Sequence, residues 1–259
     1  SRGTLSEQLN RRGLSETRVP LLVPSKVQRA PGDGQFCPVT PWRDLILFNG
    51  IGGFTRDGRE YVISTDSAKV TPAPWVNVLA NPNFGTVVSE NGVGYTWSQN
   101  AHEYRLTPWH NDPVTDSSGE AFYIRDEETG NFWSPTPSPA RGNTPYDSRH
   151  GHGYSVFEHT QDGITSEMLM FVALDAPIKF VAIKLKNESG RPRRISVTGY
   201  VEWVLGDLRS KSTMHVITEI DSRSGAIFAR NAYNSDFADR TAFFLSLIHI
   251  SEPTRLRRI

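Results

Sequence analysis

From Asp44 onward the chain is divided into short runs of alternating apolar and polar residues, each bounded by Gly, Pro, Asn or Asp. Such alternation places every second side chain on the same face, which is typical of a half-buried β-strand. No window shows the spacing of a convincing amphipathic helix. Some ten short strands with regular turns therefore predict an all-β fold, a large antiparallel sandwich.

Three pairs of these runs are predicted to form β-hairpins: 153–160 with 164–174, 179–187 with 194–205, and 215–221 with 226–231. The first pair is the clearest, because Asp162-Gly163 tolerates the positive φ values that a tight turn needs. The turn at Thr129-Gly130 joins two further strands. The remaining predicted strands are 59–65, 84–91, 94–100, 120–127 and 131–136.

Composition divides the chain into three parts. Residues 1–43 are polar and basic and contain five prolines, which predicts a largely irregular linker with a short helix over 6–12. The predicted sandwich occupies 44–244. The last segment, 245–259, ends in SLIHISEPTRLRRI, which resembles a translated sequencing-adaptor tail and is predicted to be non-native. The alternative is a genuine strand, FFLSLIHI, with a basic tail. We expect the chain to be a piece of a longer protein.

Charge and composition argue against several partners. The 28 basic residues balance the 28 acidic ones, so no global field favours nucleic acid or anionic lipid. No apolar run is long enough to insert into a membrane. The single cysteine excludes an intrachain disulfide framework, which favours a reducing compartment. No phosphate-cradling glycine loop or nucleophile elbow is present, and no cofactor is expected.

The stretch YTWSQNAHEYRLTPWHNDPV, residues 95–114, carries flat aromatic faces beside fork-shaped polar groups. Sugars present a matching pair of surfaces, a C–H face and a rim of hydroxyls. The candidate sugar-binding residues here are Tyr95, Trp97, Ser98, Gln99, Asn100, Arg105, Trp109, Asn111 and Asp112. The alternative is structural, with tryptophans closing the end of the sandwich and Asn and Asp pinning loops.

A second aromatic and polar stretch, residues 146–154, contains Arg149 and His150, which we interpret as further sugar-facing donors. A metal site is a possible interpretation, because His150 and His152 lie two residues apart and His159 follows. No carboxylate or cysteine has a ligand-like spacing, so no metal site is predicted. The flanking glycines favour a loop for this stretch.

Hydrolysis requires a pair of carboxylates, and no pair stands out at short range. Glu202 lies in the apolar run YVEWVL, where burial could raise its pKa. The more common outcome for such a glutamate is an ion pair with an arginine across the sheet. The sequence therefore does not predict a catalytic residue.

Long blocks of this chain resemble glycoside hydrolase family 94, formerly glycosyltransferase family 36. The blocks include FNGIGGFTRDGREYVI, PAPWVNVLANPNFGTVVSENGVGYTWSQNAHEYRLTPWHNDPVTD, GEAFYIRDEETGNFWSPTP, YDSRHGHGYSVFEHTQDGI and RPRRISVTGYVEWVLG. Together they cover about 44–244 in the same order. Within the family, they are more similar to the cyclic β-1,2-glucan synthase branch than to cellobiose and chitobiose phosphorylases.

The resemblance implies a super-sandwich similar to the galactose-mutarotase fold, followed by an (α/α)6 barrel that carries the catalytic acid and the phosphate site. It implies a β-glucan oligosaccharide and that barrel as partners. The loop 95–100 would reach toward the acceptor sugar, although Ser98 and Gln99 stand where the phosphorylases tend to have an aromatic and a basic residue. Arg149-His150-Gly151 matches an R-H-G motif that would shape the interface. The parent would be a bacterial inner-membrane enzyme, with this segment on the cytoplasmic side.

Three functions stay open at this point. The first is a non-catalytic, sugar-contacting sandwich that supports the barrel. The second is a self-sufficient mutarotase-like enzyme that uses His150 or His152 with Glu202 or Glu167 as acid and base. The third is a structural module whose aromatic residues pack on a partner domain.

Overall fold

The computed structural model describes residues 44–112, 114–115 and 117–247. The linker and short helix predicted within 1–43, and residues 248–259 of the predicted tail, lie outside these ranges. The described part contains fifteen strands and one short helix. The elements are β1 Gly52–Phe54, β2 Glu60–Thr65, β3 Val76–Asn81, β4 Phe84–Ser89, β5 Gly94–Ser98, β6 Glu120–Asp126, β7 Phe132–Trp133, β8 Tyr146–Gly151, β9 Tyr154–Gln161, β10 Ile164–Val172, β11 Lys179–Asn187, β12 Ile195–Val201, α1 Arg209–Ser212, β13 Val216–Ile220, β14 Ile227–Asn231 and β15 Ala242–Phe244.

The strands form four antiparallel sheets, which confirms the predicted all-β class. The largest sheet has the order β1-β2-β8-β9-β10-β11. Three smaller sheets have the orders β3-β4-β5, β12-β6-β7 and β13-β14-β15. The neighbouring strands within each sheet run antiparallel.

Two of the three predicted hairpins are confirmed. β9 and β10 pair around Asp162 and Gly163, whose φ values of 51° and 75° are those of the expected turn. β13 pairs with β14. The predicted hairpin between 179–187 and 194–205 is wrong, because β11 pairs with β10 whereas β12 pairs with β6 in another sheet.

A buried ion pair lies just before β12, at the point where the chain leaves the large sheet. Arg193 pairs with Asp126 at the end of β6, and their side chains are 3% and 1% exposed. Arg193 also donates to the Asp162 carbonyl oxygen at 2.9 Å. The pair lies far apart in the sequence, so the alternation of apolar residues could not indicate it.

The stretch that was predicted to be a loop around Arg149 and His150 is a strand, β8, at the centre of the large sheet. That prediction is wrong because the glycines belong to the turn that follows. Gly153 has a φ of 84°, and Gly151 lies beneath the ring of Tyr154, where a β-carbon would overlap the ring. Both glycines therefore serve the connection from β8 to β9.

The principal core lies between the large sheet and the sheet β3-β4-β5. Strand β10 alternates regularly between buried and half-buried residues, and its buried side chains face β3 and β4. The cluster contains Leu79, Phe84, Val88, Phe157, Met168, Met170 and Val172. This packing fixes one face of each sheet inside the sandwich and leaves the other face outside.

Asparagine side chains tie the two sheets together at both ends of β3. Asn77 donates to the carbonyl oxygens of Gly151 and Tyr154, each at 2.9 Å. Asn81 donates to the carbonyl oxygens of Ala173 and Ala176 at 2.8 and 2.9 Å. These bonds run from β3 to the large sheet and to the segment after β10, and so hold the two sheets together.

Candidate functional site

The aromatic cluster predicted from the sequence lies on the outer face of the sheet β3-β4-β5. Thr96 points inward, so its neighbours Tyr95 and Trp97 point outward by the alternation of a strand. The same register places Val87 between Val78 and Tyr95 on this face, so Val78 lies two strands away from Tyr95. We call Tyr95, Trp97, Arg105 and Trp109 the aromatic surface.

In the aromatic surface, the Tyr95 ring contacts both indoles. Tyr95 lies between the two indoles, with ring centroids 5.3 Å from Trp97 and 5.0 Å from Trp109. Tyr95 is buried, which raises the pKa of its hydroxyl, whereas both indoles are half-buried. Gly85 lies directly opposite Trp97 on β4, and a β-carbon there would overlap the indole. The sheet therefore holds two indole rings partly open to solvent.

Arg105 holds the edge of this surface in place. Its guanidinium lies 5.9 Å from the Tyr95 ring centroid and donates to the Trp109 carbonyl oxygen at 3.3 Å. Its backbone bridges Trp97 on one side and Gly206 on the other. The cation therefore positions the segment that carries Trp109 against β5.

A polar network lies inside the sandwich directly behind the aromatic surface. Glu120 accepts hydrogen bonds from the hydroxyls of Thr96 and Thr107, each at 2.6 Å, and forms an ion pair with Lys179. Lys179 also donates to Thr96 at 2.6 Å. Burial acts to raise the pKa of Glu120, but Lys179 and the two threonines hold that pKa below its usual value. The network links β5, β6 and β11 beneath the indoles.

The polar candidates around the indoles mostly stabilise turns. Asn100 accepts from the backbone N–H groups of His102 and Glu103, both at 2.9 Å. Asp112 accepts from the Thr115 hydroxyl at 2.7 Å and from nearby backbone groups, which lowers its pKa. These two side chains fit the structural alternative.

The other three polar candidates of this stretch differ in position. Gln99 and Asn111 are exposed and have positive φ values of 63° and 50°. Ser98 is half-buried, and its backbone N–H donates to the Tyr104 carbonyl oxygen at 3.1 Å. The exposed amides of Gln99 and Asn111 lie on the loops that flank the aromatic surface. Their contact with a sugar remains a prediction.

The structure does not bring Arg149 and His150 to the aromatic surface. His150 points between the sheets, where Nδ1 lies 2.9 Å from the Ser155 hydroxyl and Nε2 lies 3.1 Å from the Trp75 carbonyl oxygen. Burial lowers the pKa of His150. Arg149 points to the opposite, outer face of the large sheet and pairs with Glu60 and Glu158 at 3.3 and 3.2 Å. Arg149 and Trp97 therefore lie on opposite outer faces of the sandwich.

The acid and base pairs considered for a self-sufficient enzyme are not assembled among the described residues. Glu202 forms an ion pair with an arginine, as expected, but the partner is Arg209 of α1 and not an arginine across the sheet. Glu167 points to the outer face of the large sheet, away from His150. His152 is exposed in the turn after β8. No geometry here joins a histidine to either carboxylate.

The described residues show neither a metal-binding cluster nor a helix that could cross a membrane. Across residues 44–112, 114–115 and 117–247, no group of three His, Cys, Asp or Glu side chains is arranged to hold a metal ion. Within the same ranges, no helix is long and apolar enough to cross a membrane.

Sequence reasoning missed two parts of this site. Val76 and Val78 are 48% and 57% exposed on β3, on the same outer face as the rings but separated from them by β4. The alternation in VNVLAN could have indicated this strand. The contact of Glu120 with Lys179 joins positions 59 residues apart and leaves no local signal.

Comparison with known proteins gives a consistent result. The family model for the glycosyl hydrolase 94 supersandwich domain matches residues 59–255. The chain is 40% identical to a cyclic β-(1,2)-glucan synthase of Rhizobium meliloti over 216 residues, which are 83% of this chain and 8% of that protein. It is 35% identical to an N,N'-diacetylchitobiose phosphorylase of Vibrio furnissii, covering 63% of this chain and 20% of the relative. It is 33% identical to a solabiose phosphorylase of Paenibacillus borealis, covering 60% and 20%. The chain thus spans a fifth or less of each of these relatives.

Proposed function

Because this chain belongs to glycosyl hydrolase family 94 as its supersandwich domain, we propose that it contacts glucan and supports a neighbouring catalytic domain. The relatives are named as a β-(1,2)-glucan synthase and as disaccharide phosphorylases, which supports a sugar polymer or oligomer as ligand. The catalytic domain would be the (α/α)6 barrel that follows in the family, and the parent would act on the cytoplasmic side of an inner membrane.

One observation carries the sugar-contacting role, namely the two half-exposed indoles held around Tyr95 on an outer sheet face. Flat rings that are fixed before a ligand arrives lose little conformational entropy on binding. Indole faces stack on the C–H face of a pyranose, while the exposed amides of Gln99 and Asn111 are placed to bond hydroxyls. In this proposal the catalytic step takes place in the neighbouring domain.

The supporting role rests on the exposed valines of β3. Val76 and Val78 are about half-exposed on the same face, and apolar sheet faces are ordinarily covered by another layer of structure. A barrel that covers the valines would leave the indoles at the border between the two domains. That border is where domain interfaces most often build ligand sites.

The test is a titration of β-1,2-gluco-oligosaccharides into the 259-residue chain, followed by calorimetry and ligand-observed NMR. We expect a dissociation constant on the order of millimolar, because one domain supplies only part of the cleft. Trp97→Ala and Trp109→Ala should each weaken binding about fivefold, through loss of one stacking face. Tyr233→Ala is the matched control, since Tyr233 is an exposed aromatic residue outside the aromatic surface.

Unchanged affinity in both tryptophan variants would remove the basis of the sugar-contacting role. In that case the valines would still allow a packing role. If they form a docking surface, Val78→Lys should lower self-association of the chain at high concentration. Turnover of the oligosaccharide by this chain alone would contradict the assignment of chemistry to another domain.

A further inference from the structure

A single carboxylate inside the sandwich lies where the two chain segments that carry the indoles meet. The Oε1 atom of Glu120 accepts hydrogen bonds from the hydroxyls of both Thr96 and Thr107, each at 2.6 Å. Thr96 immediately precedes Trp97, and Thr107 lies two residues before Trp109. Each indole of the aromatic surface therefore has a threonine close by in the chain, and one oxygen atom holds both threonines.

The two threonine segments are also bonded directly to each other. The Thr96 backbone N–H donates to the Thr107 hydroxyl oxygen at 2.8 Å, and the Leu106 N–H donates to the Thr96 carbonyl oxygen, also at 2.8 Å. Both threonines are almost fully buried. Because buried polar groups depend on their protein partners, these bonds fix the position of one segment against the other.

A short, stiff connection leads from Thr107 to the Trp109 indole. Pro108 has a fixed φ, and its ring packs on Gly119, where a β-carbon would overlap the ring. Thr107 and Pro108 are both buried, so this connection has little room to bend. A displacement of Thr107 would therefore be passed on to Trp109.

Lys179 holds the carboxylate in place from its other side. Its ammonium forms an ion pair with Glu120 and donates to the Thr96 hydroxyl at 2.6 Å. Hydrogen bonds to an ionised acceptor are stronger than those between neutral groups. Glu120 lies on β6 and Lys179 on β11, so the anchor belongs to two sheets other than the one that carries Trp97.

The Tyr95 ring separates the two indoles. Its centroid lies 5.3 Å from that of Trp97 and 5.0 Å from that of Trp109. A pyranose has a six-membered ring, like tyrosine, and so covers one indole at a time. A linked saccharide can contact both indoles, and its second contact is then intramolecular. That second contact adds affinity only if the spacing of the indoles matches the ligand.

We propose that Glu120 is the positioning residue of the aromatic surface and fixes the two indoles at a spacing that favours a linked saccharide over a single sugar. Glu120 does not contact the ligand but acts through Thr96 and Thr107. The ligand class narrows to an oligosaccharide that touches both rings, an assignment that rests on the sugar-contacting role proposed above.

The experiment compares Thr107→Val, which removes the hydroxyl but keeps a similar shape, with Thr107→Ser, which keeps the hydroxyl. Both are made in the 259-residue chain labelled with 5-fluorotryptophan, and fluorine NMR follows Trp97 and Trp109, assigned by Trp→Phe variants. The wild-type chain should bind a β-1,2-gluco-oligosaccharide about tenfold more tightly than methyl β-glucoside. Thr107→Val should lower only the oligosaccharide affinity, about fivefold, and Thr107→Ser should restore it.

A double-mutant cycle tests Glu120 itself. Glu120→Gln removes the charged acceptor and should lower the oligosaccharide affinity about as much as Thr107→Val does. Because both changes break the same contact, Thr107→Val should add little in the Glu120→Gln background. Losses that simply add would show that Thr107 does not act through Glu120 and would overturn the positioning role.

Thr160→Val is the matched control, because Thr160 is equally buried but lies on β9, with its hydroxyl 3.0 Å from that of Thr165. In the free chain, Thr107→Val should shift the Trp109 resonance, whereas Thr107→Ser and Thr160→Val should leave it in place. An unmoved Trp109 resonance in Thr107→Val would overturn the positioning role.

The two proposals fail separately in this experiment. Unchanged binding in Trp97→Ala and Trp109→Ala removes the sugar-contacting role itself. If these variants weaken binding but Thr107→Val and Thr107→Ser bind the oligosaccharide equally well, only the positioning role is overturned. Equal losses for the oligosaccharide and methyl β-glucoside in Thr107→Val overturn it as well, because a change in spacing affects only a ligand that touches both rings.

Discussion

The aromatic surface and the polar interior around β8 both come from stretches that mix aromatic and polar residues, but the first is partly open to solvent and the second is enclosed between sheets. Around Tyr95 two indoles contact the tyrosine ring and are only half-buried. Around His150 both ring nitrogens are engaged, by Ser155 and by the Trp75 carbonyl oxygen. The first region has unused surface, whereas the second has none to offer a ligand.

This contrast teaches that aromatic and polar residues in one stretch do not identify a binding site by themselves. In the interior, polar side chains satisfy buried backbone groups, as Ser148 does for the Glu90 carbonyl oxygen at 2.7 Å. On the outer face, residues of the same types do not face buried backbone groups that need a hydrogen-bond partner. Variants in the interior should therefore change stability, and variants on the surface should change ligand binding.

The largest expected effect is the loss of stability in acid through the interior histidine His159. Burial lowers the pKa of His159 to about 4, against 6.5 in the unfolded chain. The unfolded state therefore binds the extra proton as the pH falls from 6.5 to 4, and stability falls in that window. The expected loss is about 3 kcal/mol, measured by urea unfolding at pH 7 and pH 4.

His159→Phe keeps a ring stacked on Tyr146, whose centroid lies 3.6 Å away, but removes the proton-binding site. The pH dependence should flatten in this variant. His102→Phe is the control, because His102 is exposed. Equal acid sensitivity in the wild-type chain and His159→Phe would show that the interior histidine does not set it.

A smaller loss is expected when the network behind the aromatic surface is broken. Lys179→Met leaves Glu120 half-enclosed without its cation and should lower the free energy of unfolding by about 2 kcal/mol at pH 7. Because the pKa of Glu120 is lowered in the folded chain, this stabilisation is present above pH 4.5 and disappears as the pH falls through the folded pKa. The difference between variant and wild type should narrow in acid.

Chemical unfolding at pH 7 and pH 3 measures this difference. Lys186→Met provides a control at an exposed lysine on the same strand. A difference that persists unchanged at pH 3 would mean that packing of the lysine stem, not its charge, supplies the stability.

The smallest effect concerns the surface itself. Gly85→Ala places a methyl group where the Trp97 indole lies, so the ring must move. We expect a loss of about 1 kcal/mol in stability, together with weaker binding of the oligosaccharide. Near-UV circular dichroism should report the altered indole. Ala182→Val, at an exposed position on β11, is the control. Normal binding with a displaced indole would show that Trp97 takes no part in binding the oligosaccharide.

Much of the fold could be predicted from local patterns. The alternation in β10 and the Asp162-Gly163 turn fixed a hairpin, and Gly130, with a φ of 76°, marked the turn between β6 and β7. The pairing of β12 with β6 could not be predicted, because it depends on contacts between distant positions, among them the buried pair of Arg193 with Asp126. The strand β8 was missed because the neighbouring glycines serve the turn after it.

The candidate site was predicted in part. The sequence placed Tyr95, Trp97 and Trp109 in one stretch, and the structure brings their rings into contact. It also grouped Arg149 with them on composition alone, and strand alternation in two different sheets sends that residue to another face. The exposed valines on β3 and the buried Glu120 network were not predicted.

By itself, the sequence determined the β class, most of the strands and turns, and the residue types available for binding. These properties depend on neighbours two to four positions apart, so local alternation and turn chemistry are sufficient. Tertiary structure alone decided which strands share a sheet, which side chains face solvent, and which charges are paired. Those outcomes depend on contacts between distant positions, such as Lys179 with Thr96, 83 residues apart.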